Sequence, residues 1–290
     1  AHRNLLFTVA YEMLGSAADA EDVLQEAWLR WVKVDLDQVR DHRAYLVRIA
    51  TRLSLDRLRK LQRRREAYVR PWLPEPLLTS ADVAEDVELA DSVSMGLMLV
   101  LETLSPTERV VFVLREAFEF GYDEIAAAVD KSPAAVRQIA RRARQHVSAR
   151  RPREVVSPHQ LRTVLESFQQ ATNTGDFRSL LELLAPDVVL ITDGGGVRQA
   201  ALRPIIGAEK VIRFLTGSSD KATGPLSAEH AVINGNPALL LYVGAELDGI
   251  LALRIEHDLV TDPYYVTGLY YVRNPEKLSR LTSQTPLARR

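Results

Sequence analysis

The sequence predicts two small all-α modules followed by an α+β domain. Three observations predict it. Apolar residues recur at steps of three and four through the first 150 residues. A capped turn at 130–133 divides two such segments into a helix-turn-helix. After residue 186 come runs that read as antiparallel strands with turn signals between them. A length of 290 residues suits two or three domains, and 47% apolar residues suffice for real cores. The net charge is only −1, so basic character is local, around 52–70 and 131–153. There is no cysteine, which excludes disulfides and cysteine-based zinc sites. No apolar run reaches about 18 residues, so no membrane span is expected. Residues 1–14 lack a signal-peptide pattern and start inside a helical pattern, as a trimmed chain would.

Residues 4–14 carry Leu5, Leu6, Val9, Ala10 and Met13 at helical spacing, and Gly15-Ser16 stops the helix. Asp19 is expected to cap a second helix, DAEDVLQEAWLRWV, with acids in its first turn where the dipole favours them. Val23, Leu24, Ala27, Trp28 and Trp31 form its apolar stripe, leaving Asp22, Gln25, Glu26 and Arg30 outside. A polar loop, 33–41, leads to a long helix over 42–66. That helix buries Tyr45, Leu46, Ile49, Leu53, Leu55 and Leu58 and becomes strongly basic toward its end. The segment 70–78 reads RPWLPEPLL. Three prolines in six residues forbid a helix and favour a stiff extended path. Trp72 and Leu73 are too apolar for a neutral spacer. Ser80 or Asp82 then restarts a helix through Val87, Leu89, Ala90, Val93, Leu97 and Leu101. Ser105, Pro106 and Glu108 mark a further capped start.

The helix-turn-helix occupies 121–147. Ile125, Ala126 and Val129 line its short first helix. Asp130, Lys131 and Ser132 make the turn, with Ser132 as N-cap and Pro133 as first helical residue. The second helix buries Val136, Ile139, Ala140, Ala143 and Val147. Its other face carries Arg137, Gln138, Arg141, Arg142, Arg144 and Gln145. Residues 131–153 hold eight Lys or Arg and no acid. Such a face suits duplex DNA, which binds cations by counterion release. Ala134 and Ala135 permit close approach to base edges, and Arg137, Gln138 and Arg141 are long enough to read them. The alternative is a solvated basic helix in an ordinary bundle.

Residues 150–158 form a basic, proline-flanked link. Two helices follow, over 160–174 and from Asp176 through FRSLLELL. A strand is predicted at 188–192, a tight turn and hairpin at Asp193-Gly194-Gly195-Gly196, and a helix at 208–217. Strands are predicted at 227–233, 238–243, 249–255 and 259–272, with Asn236-Pro237 and Asp248-Gly249 as turns. Helices before a curved sheet mean α+β.

The first 150 residues resemble the extracytoplasmic-function sigma factors. DAEDVLQEAWLRW and LSPTERVVFVLREAFEFGYDEIAAAVDKSPAAVRQIARRAR carry the resemblance, two motifs in order at the right separation. It implies sigma region 2 at 1–69, a Pro-rich tether at 70–81 and sigma region 4 at 82–150. It implies core RNA polymerase and promoter DNA as partners, in the cytoplasm. By similarity, Asp22, Gln25, Glu26 and Arg30 dock on polymerase. Arg40, His42, Arg43, Tyr45 and Arg48 take flipped bases of the minus-10 element, where stacking platforms and cations serve. Ala134, Arg137, Gln138, Arg141, Arg142 and Arg144 read the minus-35 element. The stretch ATNTGDFRSLLELLAPDVVLITDGGG resembles the SnoaL-like branch of the nuclear-transport-factor-2-like cone fold, at 157–273, before a tail at 274–290. The WLPEP tether, DGGG and Asn274-Pro275-Glu276-Lys277 resemble the subgroup of sigma factors carrying such an extension. One departure is Val197, which intervenes between the glycines and Arg198.

The resemblance implies control in cis. Trp72, Leu73, Pro74, Asp193, Gly194, Gly195, Gly196, Asn274, Pro275 and Lys277 are the residues expected at contacts between the C-terminal domain and the sigma modules. A cone fold has a pocket, which leaves room for an unidentified small ligand. It also leaves an enzyme reading in which Asp193, His230, His257 and Asp258 transfer protons if they converge. The favoured expectation is a fold reused without chemistry, with no cofactor or metal. A third reading is a ligand-responsive DNA-binding regulator that acts without polymerase.

Overall fold

The computed structural model describes residues 2–65, 71–80, 82–83, 86–150, 156–219, 224–257, 263–281 and 283–289. The chain divides into two compact units. One holds residues 1–68, 97–151 and 286–290, and the other holds 69–96 with 152–285.

In the first unit, α1 (Arg3–Leu14), α2 (Ala17–Trp31) and α3 (His42–Arg65) pack together. Gly15 ends α1 in the left-handed region, its N–H returning to Tyr11 O at 2.7 Å. The cap of α2 is Ser16, whose hydroxyl accepts from Asp19 N at 3.2 Å. Asp19 is therefore not the cap; Ala17 and Ala18 are good helix formers, and Ser16 supplies the oxygen one turn earlier. Trp28 is also displaced from its expected place in the core. It is 62% exposed, while Val23 and Ala27 are buried. Asp41 starts α3 by accepting from Ala44 N at 2.9 Å. Glu66, expected to end this helix, lies outside the described residues.

The helix expected to run from residue 80 or 82 to Leu101 is broken into α4 (Val87–Ser92) and α5 (Met95–Leu101). Asp86 caps α4 by accepting from Leu89 N. At the break, the carbonyl of Val93 accepts from Asn234 Nδ2 at 2.8 Å, so a side chain takes an acceptor that a continuous helix would use. Next, α6 (Pro106–Phe112) has the expected Ser105–Glu108 capping box and runs into a π-helical turn, Val113–Ala117. Then α7 (Tyr122–Val129) and α8 (Pro133–Ser148) form the helix-turn-helix. Arg109 of α6 is 2% exposed; it pairs with Glu102 and donates Nη2 to the carbonyl of Glu12 at 3.1 Å.

The second unit builds α9 (Pro158–Thr174), α10 (Phe177–Leu183), β1 (Leu184–Asp193), β2 (Ile205–Ile206), α11 (Ala208–Ser219), β3 (Leu226–Ile233), β4 (Asn236–Val243), β5 (Glu246–His257), β6 (Tyr264–Val272) and α12 (Pro275–Leu278). The sheet order is β2-β1-β6-β5-β4-β3, with β1 parallel to β6 and all other pairs antiparallel. Phe168, Leu180, Val188, Leu190, Val211, Leu251, Val266 and Leu269 form its core between helices and sheet. This is the α+β arrangement expected.

Three turns differ from expectation. The glycine turn does not make a tight hairpin: the next strand is the two-residue β2, paired with Val189 and Leu190 in the middle of β1. The β3–β4 turn is Asn234-Gly235, both at positive φ (53° and 71°), as a two-residue hairpin turn requires. Asn236 and Pro237 already pair with Ile233 and Val232. Asp248-Gly249 lies inside β5, because Asp248 is held there by Tyr271 and Arg273. The start expected for the last strand, 259–262, lies outside the described residues.

The proline segment belongs to this unit. Leu73 and Leu77 are buried, and Leu78 bridges Ile233 at the β3 edge. Thr79 N donates to Val232 O at 2.9 Å. Asn234 Oδ1 accepts from Leu77 N at 2.8 Å. Its amide thus ties the proline segment to Val93. Asn234→Ala leaves a buried donor and a buried acceptor unmade. It is expected to cost the second unit about 2–4 kcal/mol in urea unfolding; a cost under about 1 kcal/mol would show that the amide is dispensable.

Candidate functional site

The helix-turn-helix is set by local chemistry. Gly121 N donates to Glu124 Oε2 at 2.8 Å, fixing the entry to α7. Asp130 closes α7 at φ 56°, a conformation that a short polar side chain tolerates. Ser132 Oγ then accepts from Ala135 N at 3.2 Å and starts α8. Val136, Ile139, Ala140, Ala143 and Val147 are buried, as their spacing predicts. Ala134, Arg137, Gln138, Arg141, Arg142 and Arg144 are all exposed. Arg137 lies over the Tyr122 ring at 5.4 Å. Arg144 is engaged differently, donating Nη2 and Nε to Glu116 at 2.6 and 3.2 Å. That hydrogen bond and the Glu116 charge hold its guanidinium above the ordinary value. An exposed pair of this kind is worth about 0–1 kcal/mol, so a phosphate can displace Glu116.

Around the start of α3, His42 meets Trp31 edge-on at 5.3 Å and Tyr45 lies 5.8 Å from it. Arg48 sits 5.1 Å over the Tyr45 ring. Trp31, read from sequence as core, is therefore part of this aromatic group. Arg40 is exposed on the preceding loop. Arg43 lies 4.8 Å over the ring of Phe120.

On α2, Asp22, Gln25, Glu26 and Arg30 are exposed. Asp22 receives Arg57 at 2.6 Å, and Glu26 pairs with Arg30 at 2.6 Å. Beside them, Leu24, Trp28, Trp31 and Leu46 line a cavity of about 700 Å³. Trp28, Leu29 and Val32 are each more than half exposed. Sequence reasoning missed this apolar patch because Trp28 fits the helical stripe by spacing.

In the second unit, Asp193 ends β1 with its carboxylate buried. Oδ2 accepts from Leu73 N at 3.1 Å and from Lys277 Nζ at 2.7 Å, and Oδ1 accepts from Gly195 N at 3.0 Å. Lys277 also donates to Leu73 O and lies 4.3 Å over the Trp72 ring. Asn274 caps α12, accepting from Glu276 N. A Cβ on Gly195, which sits at φ 63°, would fall 2.4 Å from Asn274 Cγ; one on Gly194 would fall 2.1 Å from Arg198 O. Both glycines are required by this closeness. Gly196, at φ 79°, and the added Val197 lie outward and exposed. Pro74 is buried, while Pro275 is the exposed first residue of α12. Next to the turn, Asp248 accepts from the Tyr271 hydroxyl and from Nε and Nη2 of Arg273. Burial pushes the Asp248 carboxyl up, and these hydrogen bonds more than reverse it.

The candidate acid–base residues do not converge. Asp193 aligns through Val272 with Ile250, and His257 lies seven residues further along β5, about 23 Å at ~3.3 Å per residue. His257 stacks on Tyr264 at 4.5 Å. His230 is on β3, four strands from β1, bonded to Gln169. Asp258 lies outside the described residues. Among the described residues no acid or histidine cluster could hold a metal, and no helix is long and apolar enough to cross a membrane.

A capped helix-turn-helix with a cationic outer face, joined to a second helical module, defines a DNA-binding protein. A family model for sigma-70 region 2 matches residues 1–64, and one for sigma-70 region 4 matches residues 94–147. The chain is 37% identical to the ECF RNA polymerase sigma factor SigJ of Mycobacterium tuberculosis over 285 residues, covering 96% of this chain and 91% of SigJ. It is 34% identical to a probable ECF RNA polymerase sigma factor, SigI, of the same species, covering 90% and 89%. The crystal structure of the M. tuberculosis SigJ matches with a TM-score of 0.77 at 32% identity, over 97% of this chain and 96% of that one. The chain belongs to the extracytoplasmic-function sigma factors. It is an alternative sigma factor, partnering RNA polymerase and promoter DNA, and not an enzyme.

Because the Asp193 carboxylate is buried and accepts three hydrogen bonds, removing its charge takes from Lys277 its buried counter-charge. Asp193→Asn is expected to destabilise the second unit by about 3 kcal/mol, read from its transition in denaturant. A change below about 1 kcal/mol would contradict this.

Proposed function

We propose that this sigma factor reads the minus-35 element with the outer face of α8, takes bases of the minus-10 element at the start of α3, and is regulated in cis through its C-terminal domain. The observation that carries the reading is the exposure of six residues on α8 above a wholly apolar inner face. Arg137 and Gln138 lie on the N-terminal half of that helix, which enters the major groove in this motif, and Arg141 lies at its middle. Arg142 and Arg144 follow as phosphate contacts. For minus-10, Tyr45, His42 and Trp31 provide stacking faces, and Arg40, Arg43 and Arg48 provide charge. Polymerase docks on Asp22, Gln25, Glu26 and Arg30, with Trp28 and Leu29 as the apolar centre that buried interfaces favour. Cytoplasmic location follows from the partner.

Regulation in cis is supported by the grip of Asp193 and Lys277 on Trp72 and Leu73. Those residues belong to the only covalent connection between residues 1–65 and the helix-turn-helix. Holding the connection limits the separations that the two modules can sample. The domains expected at 1–69, 82–150 and 157–273 remain the functional parts in this proposal. The cone domain acts as a holder rather than as a catalyst, and a small ligand in it would act by loosening or tightening the grip.

Arg137→Ala or Arg141→Ala is expected to weaken promoter binding by about 1–3 kcal/mol with relaxed base preference. Arg144→Ala is expected to weaken binding equally on all sequences and to lower the salt slope by about one contact. Fluorescence anisotropy with matched and mutated minus-35 duplexes checks both. Equal loss on every sequence for Arg137→Ala would remove it from the readers. Run-off transcription with core enzyme checks the whole assignment: Trp72→Ala should change transcript yield while leaving affinity for a minus-35 duplex unaltered, and an unchanged yield would exclude regulation through the tether.

A further inference from the structure

The first unit contains contacts that neither promoter reading nor polymerase docking uses. Residues 286–289 belong to this unit, and they touch both of its modules. Ala288 N donates to Thr8 Oγ1 on α1 at 3.0 Å, and Thr8 is fully buried. Arg289 Nε donates to Ala117 O at 2.7 Å, on the π-helical turn just before α7. The Thr8 hydroxyl donates in turn to Asn4 O at 2.8 Å, so it can accept only from outside its own helix, and the tail backbone supplies that donor.

The tail closes over a face where the modules already meet. Arg52 of α3 donates Nη2 to Ala127 O at 2.9 Å and Nε to Ala128 O at 3.3 Å. Those carbonyls are at the C-terminal end of α7, where the helix dipole favours a cation. Arg109 donates to Glu12 O at the end of α1. Arg43, assigned above to minus-10 bases, rests on Phe120. This arrangement cannot persist on a promoter. Elements named minus-35 and minus-10 are some twenty-five base pairs apart, roughly 85 Å at about 3.4 Å per pair. A module held with Arg43 against Phe120 and Arg52 against α7 cannot span that distance.

We propose that the C-terminal tail, residues 286–289, is a latch that fastens the region 2 module to the region 4 module in the free chain, and that its release permits the modules to separate onto DNA. Among its contacts, the latch makes a backbone N–H bond to a hydroxyl and a guanidinium bond to a carbonyl. It is covalently tethered, so it closes at high effective concentration and reopens without loss of the partner. The proposal rests on the reading that both modules must reach DNA, and it is tested first without DNA.

The chain has no cysteine, so Lys60→Cys on α3 and Gln145→Cys on α8, both at exposed positions, place unique spin labels on the two modules. The full chain should give one narrow distance. Deletion of residues 286–290, and separately Arg289→Ala, should add a longer and broader population. Both should also raise run-off transcription severalfold at limiting core enzyme. Should the deletion melt early, Arg289→Ala carries the test, because it keeps the Ala288–Thr8 contact. An unchanged distance distribution overturns the latch. A distance that opens without any rise in transcription overturns it as a regulatory device. Failure of the promoter-reading assignment appears instead as unchanged DNA affinity in the Arg137→Ala measurement.

Discussion

The carboxylate of Asp193 is the group on which the second unit's unusual feature depends. A buried carboxylate is tolerated only when its charge is paired and its lone pairs are used. Asp193 meets that condition by gathering three segments distant in sequence: Leu73 of the proline segment, Gly195 of its own turn and Lys277 of α12. Each partner imposes a further demand. Gly195 must approach Asn274 without a side chain. Lys277 must lie flat enough to reach both Leu73 O and the Trp72 ring. The glycine turn, the Asn-Pro-Glu-Lys cap and the tryptophan of the proline segment are thus parts of one electrostatic arrangement.

Much of this was legible in the sequence, and the parts that were not share a cause. The helix-turn-helix was readable to the residue, because caps, proline placement and apolar spacing are all local. The proline segment was readable as extended and too apolar for a spacer. Its partners came from resemblance, since nothing in a sequence gives the meeting of residues 73, 193 and 277. Errors arose where a tertiary contact overrode a local preference. Asn234 donates to Val93 and breaks a helix that spacing alone would continue. Arg273 and Tyr271 hold Asp248 inside a strand where Asp-Gly would otherwise turn. Trp28 satisfies the helical stripe by position yet faces solvent beside a cavity. A large exposed apolar residue is invisible to a periodicity argument, and it is the kind of residue that interfaces favour.

The two units use one physical idea in different ways. Arg109 and Arg52 in the first unit, and Lys277 in the second, are cations set on backbone carbonyls. Carbonyls at helix ends and in extended segments keep unused acceptor capacity, and Arg109 and Lys277 bond to them in addition to their acids, Glu102 and Asp193. Contacts of this type link elements far apart in sequence. They also let a chain of net charge −1 present a strongly basic face on α8. Those cations have no acid among residues 131–153 to answer them within their own segment.

The central claim is that the proline segment is gripped rather than loose. Hydrogen–deuterium exchange of the protein reads this directly at the amide of Leu73, which donates to Asp193. The account predicts slow exchange at Leu73, Leu77 and Thr79, and selective loss of protection at Leu73 in Lys277→Ala, with Leu77 and Thr79 retained by Asn234 and Val232. Exchange of the Leu73 amide at the rate of an unstructured linker would contradict it.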